Sequence, residues 1–417
     1  MAARSNLLAC VLVICALFAC SGVGDVGTAD AAQRKPPAIS DPQSNQVPRR
    51  LPERPPMSKS EQQAAVIPGL PQARFWADSE ADFLRALPSA AGAWLMLSSG
   101  GSDGAYGAGI LSGWTDVRTR PQFSVVTGVS TGAMIAPFAF VGGRYGDKLR
   151  GLYSSLTAAD IFEVGGTGES MLNTWPLKDL LAKQVTPQLL ADVAAEHRRG
   201  RRLFVVTTNL DAERPVVWNM GEIAARGDNA ALALFRDVLL ASASIPGMFP
   251  PVYIDVEANG RHFREMHADG GMGGAFYVAP PSLLSDLHPN RLPAKELYII
   301  INGKLAPEFE VTERNPLAIL GRSIATTLKT ATRMQLERVY RFATRNGVAF
   351  NLAYVDENFD KASRGSFDPE YMRALLAFGA AQARGGSAFH RQPPAEQSPD
   401  RAEAACDSRA KACESIH

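Results

Sequence analysis

The sequence predicts an α/β fold, with a mostly parallel central sheet flanked by helices. Apolar runs of strand length recur along the chain, and several are continuous, as in strands buried on both faces. Segments with helical patterning separate these runs, and strands that alternate with helices form parallel sheets. The expected strands are 94–97, 123–127, 203–208, 297–301 and 348–355, and the expected helices are 104–114, 176–184, 187–197, 230–241 and 317–345.

Composition limits the classes of function. The 417 residues are 46% hydrophobic, so the chain can bury a core. Its 43 Lys and Arg residues balance 42 Asp and Glu residues, which argues against nucleic acid as the main partner. One basic run, residues 197–202, is expected to be a solvated loop, and an anionic membrane surface is its alternative partner.

The N-terminus predicts export. Arg4 precedes an apolar run, residues 7–19, that has the length of a signal peptide and is short for a membrane span. The run ends in Leu17-Phe18-Ala19-Cys20, which resembles a bacterial lipobox, although Phe18 is larger than usual there. The favoured interpretation is a membrane-anchored envelope lipoprotein with lipid attached at Cys20. A soluble periplasmic or secreted protein, cleaved after residues 29–31, is the alternative.

The remaining chain divides by composition. After a signal peptide at 1–19, residues 20–74 contain seven prolines between Pro36 and Pro56, and a semi-stiff tether is expected. The globular domain is expected at 75–385. A polar tail at 386–417 follows, in which Cys406 and Cys413 form a terminal disulfide if the protein is exported. These two cysteines lack the further ligands that a zinc site needs.

The candidate nucleophile is Ser130. The segment Gly128-Val129-Ser130-Thr131-Gly132 lies between an apolar β-branched run and an Ala-rich helical stretch. A G-x-S-x-G sequence in this context predicts a nucleophile elbow, a tight turn that lifts the serine hydroxyl above the sheet. The turn also places Ser130 at a helix N-terminus, which favours developing negative charge.

Two glycine-rich turns accompany this serine. Residues 98–104 (SSGGSDG) can direct backbone N–H groups at an oxyanion, whereas their spacing fits neither dinucleotide nor P-loop binding. A structural turn is the alternative for this loop. Asp269-Gly270-Gly271 could expose a carboxylate at a loop tip, although an ordinary β-turn explains that segment alone equally well.

Taken together, the three segments resemble the patatin-like phospholipases. In that family a G-G-x-x-G oxyanion loop, a G-x-S-x-G serine and a D-G-[GA] aspartate follow one another in this order. The residues that match are Gly100, Gly101, Gly104, Gly128, Ser130, Gly132, Asp269, Gly270 and Gly271. Residues 208–218, 241–251 and 367–379 resemble further family segments, so the resemblance covers roughly 94–384. It implies a three-layer patatin-like sandwich.

The resemblance also implies a chemistry. Ser130 would attack a lipid acyl ester, Asp269 would accept its proton, and the N–H groups of Gly100 and Gly101 would hold the oxyanion. No cofactor or metal is implied, membrane lipids are the substrates, and no obligate protein partner is inferred. The chain departs from the family pattern at Ser99, where a third glycine is common, and at Asp103, where Arg or Lys is common. The second departure puts a cationic contact with a lipid headgroup in doubt.

Two alternatives remain open. A Ser-His-Asp esterase or thioesterase would need a histidine, and a non-catalytic envelope scaffold would bind lipid without turning it over. The histidines that would be candidates for the triad are His197, His262, His267, His288, His390 and His417.

The helical region 317–345 could cover a lipid-binding mouth, with ordinary core packing as the alternative.

Overall fold

The computed structural model describes residues 54–285 and 291–394. In this part of the chain nine strands form one sheet, in the order β1-β7-β6-β3-β2-β10-β11, and β9 pairs with both β6 and β8. A separate hairpin joins β4 to β5. The strands are β1 (Arg74–Trp76), β2 (Gly92–Leu97), β3 (Phe123–Val129), β4 (Glu163–Thr167), β5 (Ser170–Asn173), β6 (Arg202–Asn209), β7 (Arg214–Asn219), β8 (Val252–Ala258), β9 (Arg261–Asp269), β10 (Ala294–Ile301) and β11 (Ala349–Tyr354).

Helices cover both faces of this sheet. One apolar core lies on each face, as is typical of a three-layer α/β sandwich. Five consecutive strands of the sheet, β6, β3, β2, β10 and β11, are parallel, so the predicted fold class is confirmed. The helices are α1 (Lys59–Ala64), α2 (Glu80–Ala86), α3 (Gly104–Asp116), α4 (Thr131–Val141), α5 (Gly146–Ser155), α6 (Trp175–Gln184), α7 (Pro187–Arg198), α8 (Met220–Arg226), α9 (Asn229–Ser242), α10 (Pro316–Arg345) and α11 (Pro369–Arg384).

The strand pairing of β6 brings two chain segments together. Strand β3 runs parallel to β6, and its last paired residue, Val129, lies opposite Val206. Strand β9 runs antiparallel to β6, and its last residue, Asp269, lies opposite Thr207. Because β7 occupies the other edge of β6, β3 and β9 share one edge and their carboxyl ends meet. The residue after β3, Ser130, therefore faces the last residue of β9.

The packed region is longer at both ends than the sequence predicted. The expected tether, 20–74, contains α1, and the side chains of Ile67 and Leu70 are buried in the core. The backbone of Val66 pairs with Glu257 of β8, a partner that the local proline content does not reveal. At the other end, residues of the expected tail are packed: Ala388 is buried, and the backbone of His390 pairs with β11.

Several predictions fall outside the described residues. These are the signal peptide, the lipid attachment at Cys20, the first part of the tether, and the pairing of Cys406 with Cys413. Within 54–285 and 291–394, no helix is long and apolar enough to cross a bilayer.

Candidate active site

Ser130 occupies a strained turn between β3 and α4. Its backbone has φ 54° and ψ −122°, a region that residues with a side chain rarely adopt and that clusters at functional sites. The flanking glycines allow this turn because the backbone approaches closely on both sides. A Cβ atom on Gly128 would lie 2.6 Å from the Gly132 carbonyl oxygen, and one on Gly132 would lie 2.3 Å from that of Leu97. Both glycines of the motif are thus explained by packing.

The side chains of Ser130 and Asp269 are in direct contact. Ser130 Oγ donates a hydrogen bond to Asp269 Oδ2 across 2.6 Å. The other carboxylate oxygen, Oδ1, accepts from the Gly271 N–H across 2.7 Å, which fixes the carboxylate plane. Ser130 and Asp269 are only 7% and 3% exposed, so the contact is shielded from water. The structure therefore joins the predicted serine and the predicted aspartate, which are 139 residues apart in sequence.

Burial changes the acidity of Asp269. Desolvation raises the pKa of its carboxyl group to about 6, and the hydrogen bonds from Ser130 and Gly271 oppose this rise only in part. The carboxylate is therefore a stronger base than an exposed aspartate, and it is still mostly ionised at neutral pH.

The glycine-rich loop lies at the same site. Gly100 and Gly101 line a cavity together with Ser130. Among the described residues, no acceptor takes a hydrogen bond from the N–H group of Gly100 or Gly101, so both donors are free for a ligand. A Cβ atom on Gly100 would lie 2.1 Å from the carbonyl oxygen of Asn302. A Cβ atom on Gly104 would lie 2.2 Å from Thr131 Oγ1, which explains the last glycine of the loop by close packing.

Asn302 holds this loop in place. Its side-chain amide donates to the Ser98 carbonyl oxygen across 2.7 Å, and its Oδ1 accepts from the Gly107 N–H across 3.1 Å. Its backbone N–H donates to Ser98 Oγ. Asn302 directly follows the apolar strand β10, and a buried polar residue at the carboxyl end of a parallel strand is the signal that sequence reasoning missed.

A second positioning contact was also missed. Ser242, at the end of α9, accepts a hydrogen bond from the Ser130 N–H across 3.0 Å and donates to the Val206 carbonyl oxygen across 2.7 Å. It belongs to the segment 241–251, whose resemblance to a family motif was noted without a role. This contact supports the strained backbone of Ser130.

The cavity beside Ser130 is apolar and has a volume of about 290 Å³. Its walls come from α4, α5, α6 and the β4–β5 hairpin. Ser130 and residues 100–102 of the glycine-rich loop also line this cavity. The apolar side chains of the walls are Met134, Phe138, Leu152, Leu156, Ile161, Phe162, Leu172, Leu177, Leu180, Leu181, Val185, Ile245, Met248, Phe249 and Phe367.

Asp103, which stands where Arg or Lys is common in the resembling family, has a partner within the protein. Its carboxylate accepts a hydrogen bond from the Tyr371 hydroxyl across 2.9 Å. Burial raises the pKa of this carboxyl group to about 6, against the opposing effect of the Tyr371 hydrogen bond. The side chain thus links the glycine-rich loop to α11.

No histidine in the described part of the chain contacts Ser130 or Asp269. His267 is buried, but Thr207 and Glu265 occupy its two ring nitrogens. His197 pairs with Glu222, and the ring of His390 lies against Tyr354. His262 is exposed on β9. His288 and His417 lie outside the described residues. Within the same residues, no group of three or more His, Cys, Asp or Glu side chains is arranged to hold a metal ion.

Two solved structures show partial similarity to this chain. The crystal structure of VipD from Legionella pneumophila covers 71% of this chain and 67% of its own, with 14% sequence identity and a TM-score of 0.36. The type III effector protein ExoU covers 72% of this chain, with 12% identity and a TM-score of 0.26. The chain spans about half (54%) of the ExoU chain. No curated protein matches the sequence significantly.

A family model gives the assignment. The model of the patatin-like phospholipases matches residues 95–280, a segment that contains the glycine-rich loop, Ser130 and Asp269. This segment of the chain belongs to the patatin-like phospholipase family.

Proposed function

We propose that the protein is a serine hydrolase that cleaves acyl esters of lipids, of phospholipase A or lysophospholipase type, through a dyad of Ser130 and Asp269. The 2.6 Å hydrogen bond between these two side chains, at an apolar cavity, is the observation that carries the proposal. A nucleophile in contact with its base, beside free N–H donors, is the arrangement that acyl transfer requires.

The first half of the reaction forms an acyl-enzyme. Asp269 Oδ2 takes the proton from Ser130 Oγ while this oxygen attacks the ester carbonyl carbon. The carbonyl oxygen becomes an oxyanion, which the N–H groups of Gly100 and Gly101 stabilise. When the tetrahedral intermediate collapses, the C–O bond to the lipid alcohol breaks, and that alcohol receives the proton from Asp269.

The second half releases the fatty acid. Asp269, ionised again, takes a proton from a water molecule that attacks the acyl carbon of the Ser130 ester. Collapse of this second intermediate returns the proton to Ser130 Oγ and frees the acid. One carboxylate therefore serves as base and then as acid in both halves.

The cavity supports a lipid acyl chain as the substrate group. Its lining is predominantly aliphatic and aromatic, and its volume of about 290 Å³ is near the lower end of the range of small-molecule sites, about 300–1,000 Å³. An acyl chain that enters this cavity buries apolar surface at roughly 25 cal/mol per Å². A small polar ester would leave most of this surface uncovered, so long-chain esters are the expected substrates.

The Ser-His-Asp alternative has less support. His267 is the histidine nearest to Asp269 in sequence, and both of its ring nitrogens are engaged away from Ser130. The non-catalytic scaffold is disfavoured because both side chains of the dyad are present and joined.

We also propose export and lipid attachment at Cys20. The mass of the mature N-terminal peptide tests this proposal, and an unmodified Cys20 would contradict it.

The decisive experiment measures fatty acid and lysolipid released from defined phospholipids by the purified protein. Ser130→Ala and Asp269→Asn should each lower kcat about 10³-fold or more, because nucleophile and base act as one unit. Ser124→Ala, on the same strand β3, and the exposed Asp255→Asn are matched controls that should keep full activity. A large loss in only one of the two dyad variants would contradict the proposed mechanism.

A further inference from the structure

Helix α10 extends beyond the sheet on which it packs. Its 30 residues span about 45 Å, whereas the 8 residues of β10 span about 27 Å. In its second half Leu336, Val339 and Phe342 are buried, but from residue 318 to residue 331 no side chain is buried. Core packing therefore explains only the second half.

The exposed half lies at the carboxyl edge of the sheet. Helix α10 connects the carboxyl end of β10 to the amino end of the parallel strand β11, so its N-terminus lies at the edge where β10 ends. Strand β3 is parallel to these strands and ends at the same edge, directly before Ser130. The exposed half of α10 and the candidate active site thus share one side of the molecule.

This exposed region carries large apolar side chains, which we call the apolar tip: Phe309, Val311, Ile319 and Leu320. The fractional exposures of these four side chains are 96%, 80%, 53% and 57%. Arg322 contacts both Glu308 and Glu310, so the segment that carries Phe309 and Val311 lies beside the first turns of α10. Large exposed apolar patches on soluble proteins usually mark interaction sites.

The chain segments on both sides of the tip contact the loops that carry the proposed catalytic groups. The chain that leads into it leaves β10 through Asn302, which contacts the glycine-rich loop, and Gly303, which lies against Asp103. From the other side, Gln335 of α10 donates to the Phe276 carbonyl oxygen, in the loop that follows Asp269. The chain that leads into the tip therefore adjoins the glycine-rich loop, and the packed half of α10 adjoins the aspartate turn.

Charge around the tip is nearly balanced. Between residues 304 and 329 there are four cations and three anions, a net charge of +1. Glu308 pairs with Lys304 and Lys329, and Glu310 pairs with Arg322. A tip with apolar side chains and little net charge fits the surface of a zwitterionic lipid aggregate better than an anionic one, because attraction to anionic lipid needs unpaired cations.

We infer that the apolar tip inserts into the surface of a zwitterionic lipid bilayer or micelle and holds the Ser130 edge of the sheet against it. This inference rests on the proposed function, since it describes how an aggregated lipid substrate reaches that site. Insertion brings the edge of the sheet that carries Ser130 to the lipid surface, which shortens the path of a lipid to the site.

The test compares Phe309→Ser/Leu320→Ser with the full-length parent protein, both carrying Ser130→Ala so that vesicles stay intact. Binding to phosphatidylcholine vesicles is measured by co-sedimentation, and the double variant should bind about tenfold or more weakly. Val117→Ser is the matched control, because this apolar residue is 39% exposed at the C-terminal end of α3, on the opposite edge. It should bind like the parent.

Activity separates this inference from the proposed function. With Ser130 intact, the tip variant should hydrolyse a dissolved short-chain ester like the parent and hydrolyse vesicles at least about tenfold more slowly. Equal vesicle binding by the tip variant and the parent would overturn the inference. It would also be overturned if the parent were a dimer and the tip variant a monomer, since a second copy of the chain would then be the partner of the tip. Tip-dependent binding without any ester hydrolysis would support the tip and reject the enzyme.

Discussion

Asp269 is a carboxylate in a position from which water is largely excluded, and we expect this burial to affect both activity and stability. Burial raises its pKa to about 6, while the Ser130 hydroxyl and the Gly271 N–H keep it hydrogen-bonded. A base whose pKa lies close to the working pH transfers protons more effectively than one that is always ionised.

Activity should follow the ionisation of Asp269. Because only the ionised form accepts the Ser130 proton, kcat/KM should rise as the pH increases through about 6 and then level off. The measurement is a pH profile of hydrolysis of a dissolved ester. A profile that does not change between about pH 5 and 8 would contradict the assignment of Asp269 as base.

The same burial should make Asp269 a cost to stability. The folded pKa of about 6 lies above the ordinary value of 3.8, so the folded chain binds this proton more tightly than the unfolded chain. The stability that the folded chain gains from binding this proton more tightly is present below about pH 4 and is lost as the pH rises through about 6. Asp269→Asn should therefore increase the free energy of unfolding at pH 8, on the order of 1–3 kcal/mol.

Urea unfolding at two pH values checks this expectation. The gain of Asp269→Asn over the parent should be small at about pH 4, where the parent carboxyl group is protonated, and larger at pH 8. A variant that is less stable than the parent at pH 8 would show that the carboxylate stabilises the fold.

At the scale of elements, the glycine-rich loop depends on one close approach. Gly100 lies so near Asn302 that a Cβ atom would lie 2.1 Å from its carbonyl oxygen, whereas a Cβ atom on Gly101 has no neighbour within 4 Å. Alanine at either position keeps the backbone N–H group, so a difference in activity between Gly100→Ala and Gly101→Ala reports on the position of the loop.

Gly100→Ala should lower kcat about 10²-fold or more, because displacing an oxyanion donor costs transition-state stabilisation. Gly101→Ala should cost much less activity, since its φ of 55° adds only backbone strain, about 1 kcal/mol. Steady-state kinetics of both variants on one ester make the comparison. Equal losses would contradict the positioning role of the contact between Gly100 and Asn302.

Local motifs made the site partly predictable. The tight turns around Ser130 and Asp269 require glycines at fixed offsets, and this requirement is visible in sequence. Ser242 and Asn302 were missed because their roles arise from contacts that the fold creates: Ser242 is 112 residues from Ser130, and Asn302 is 204 residues from Ser98. The raised pKa of Asp269 likewise depends on burial by distant elements.

At the scale of the whole molecule, alternating apolar strands and helices were sufficient to predict the sheet. The boundaries of the packed region were not predictable in this way. The segment before β1 is rich in proline and polar residues, but its few apolar side chains, including Ile67 and Leu70, reach the core through pairing with β8. Such long-range pairing leaves no local periodic signal.

The meeting of β3 and β9 on one edge of β6 is the feature of the whole fold that creates the proposed dyad. Covalent labelling with a fluorophosphonate probe, with the modified residue located by peptide mass spectrometry, tests this claim most directly. We expect modification at Ser130 in the parent protein and strongly slowed modification in Asp269→Asn, with no effect of replacing any of the six histidines, His197, His262, His267, His288, His390 or His417. Modification at another residue, or loss of labelling on replacing a histidine while Asp269→Asn still reacts, would contradict the dyad.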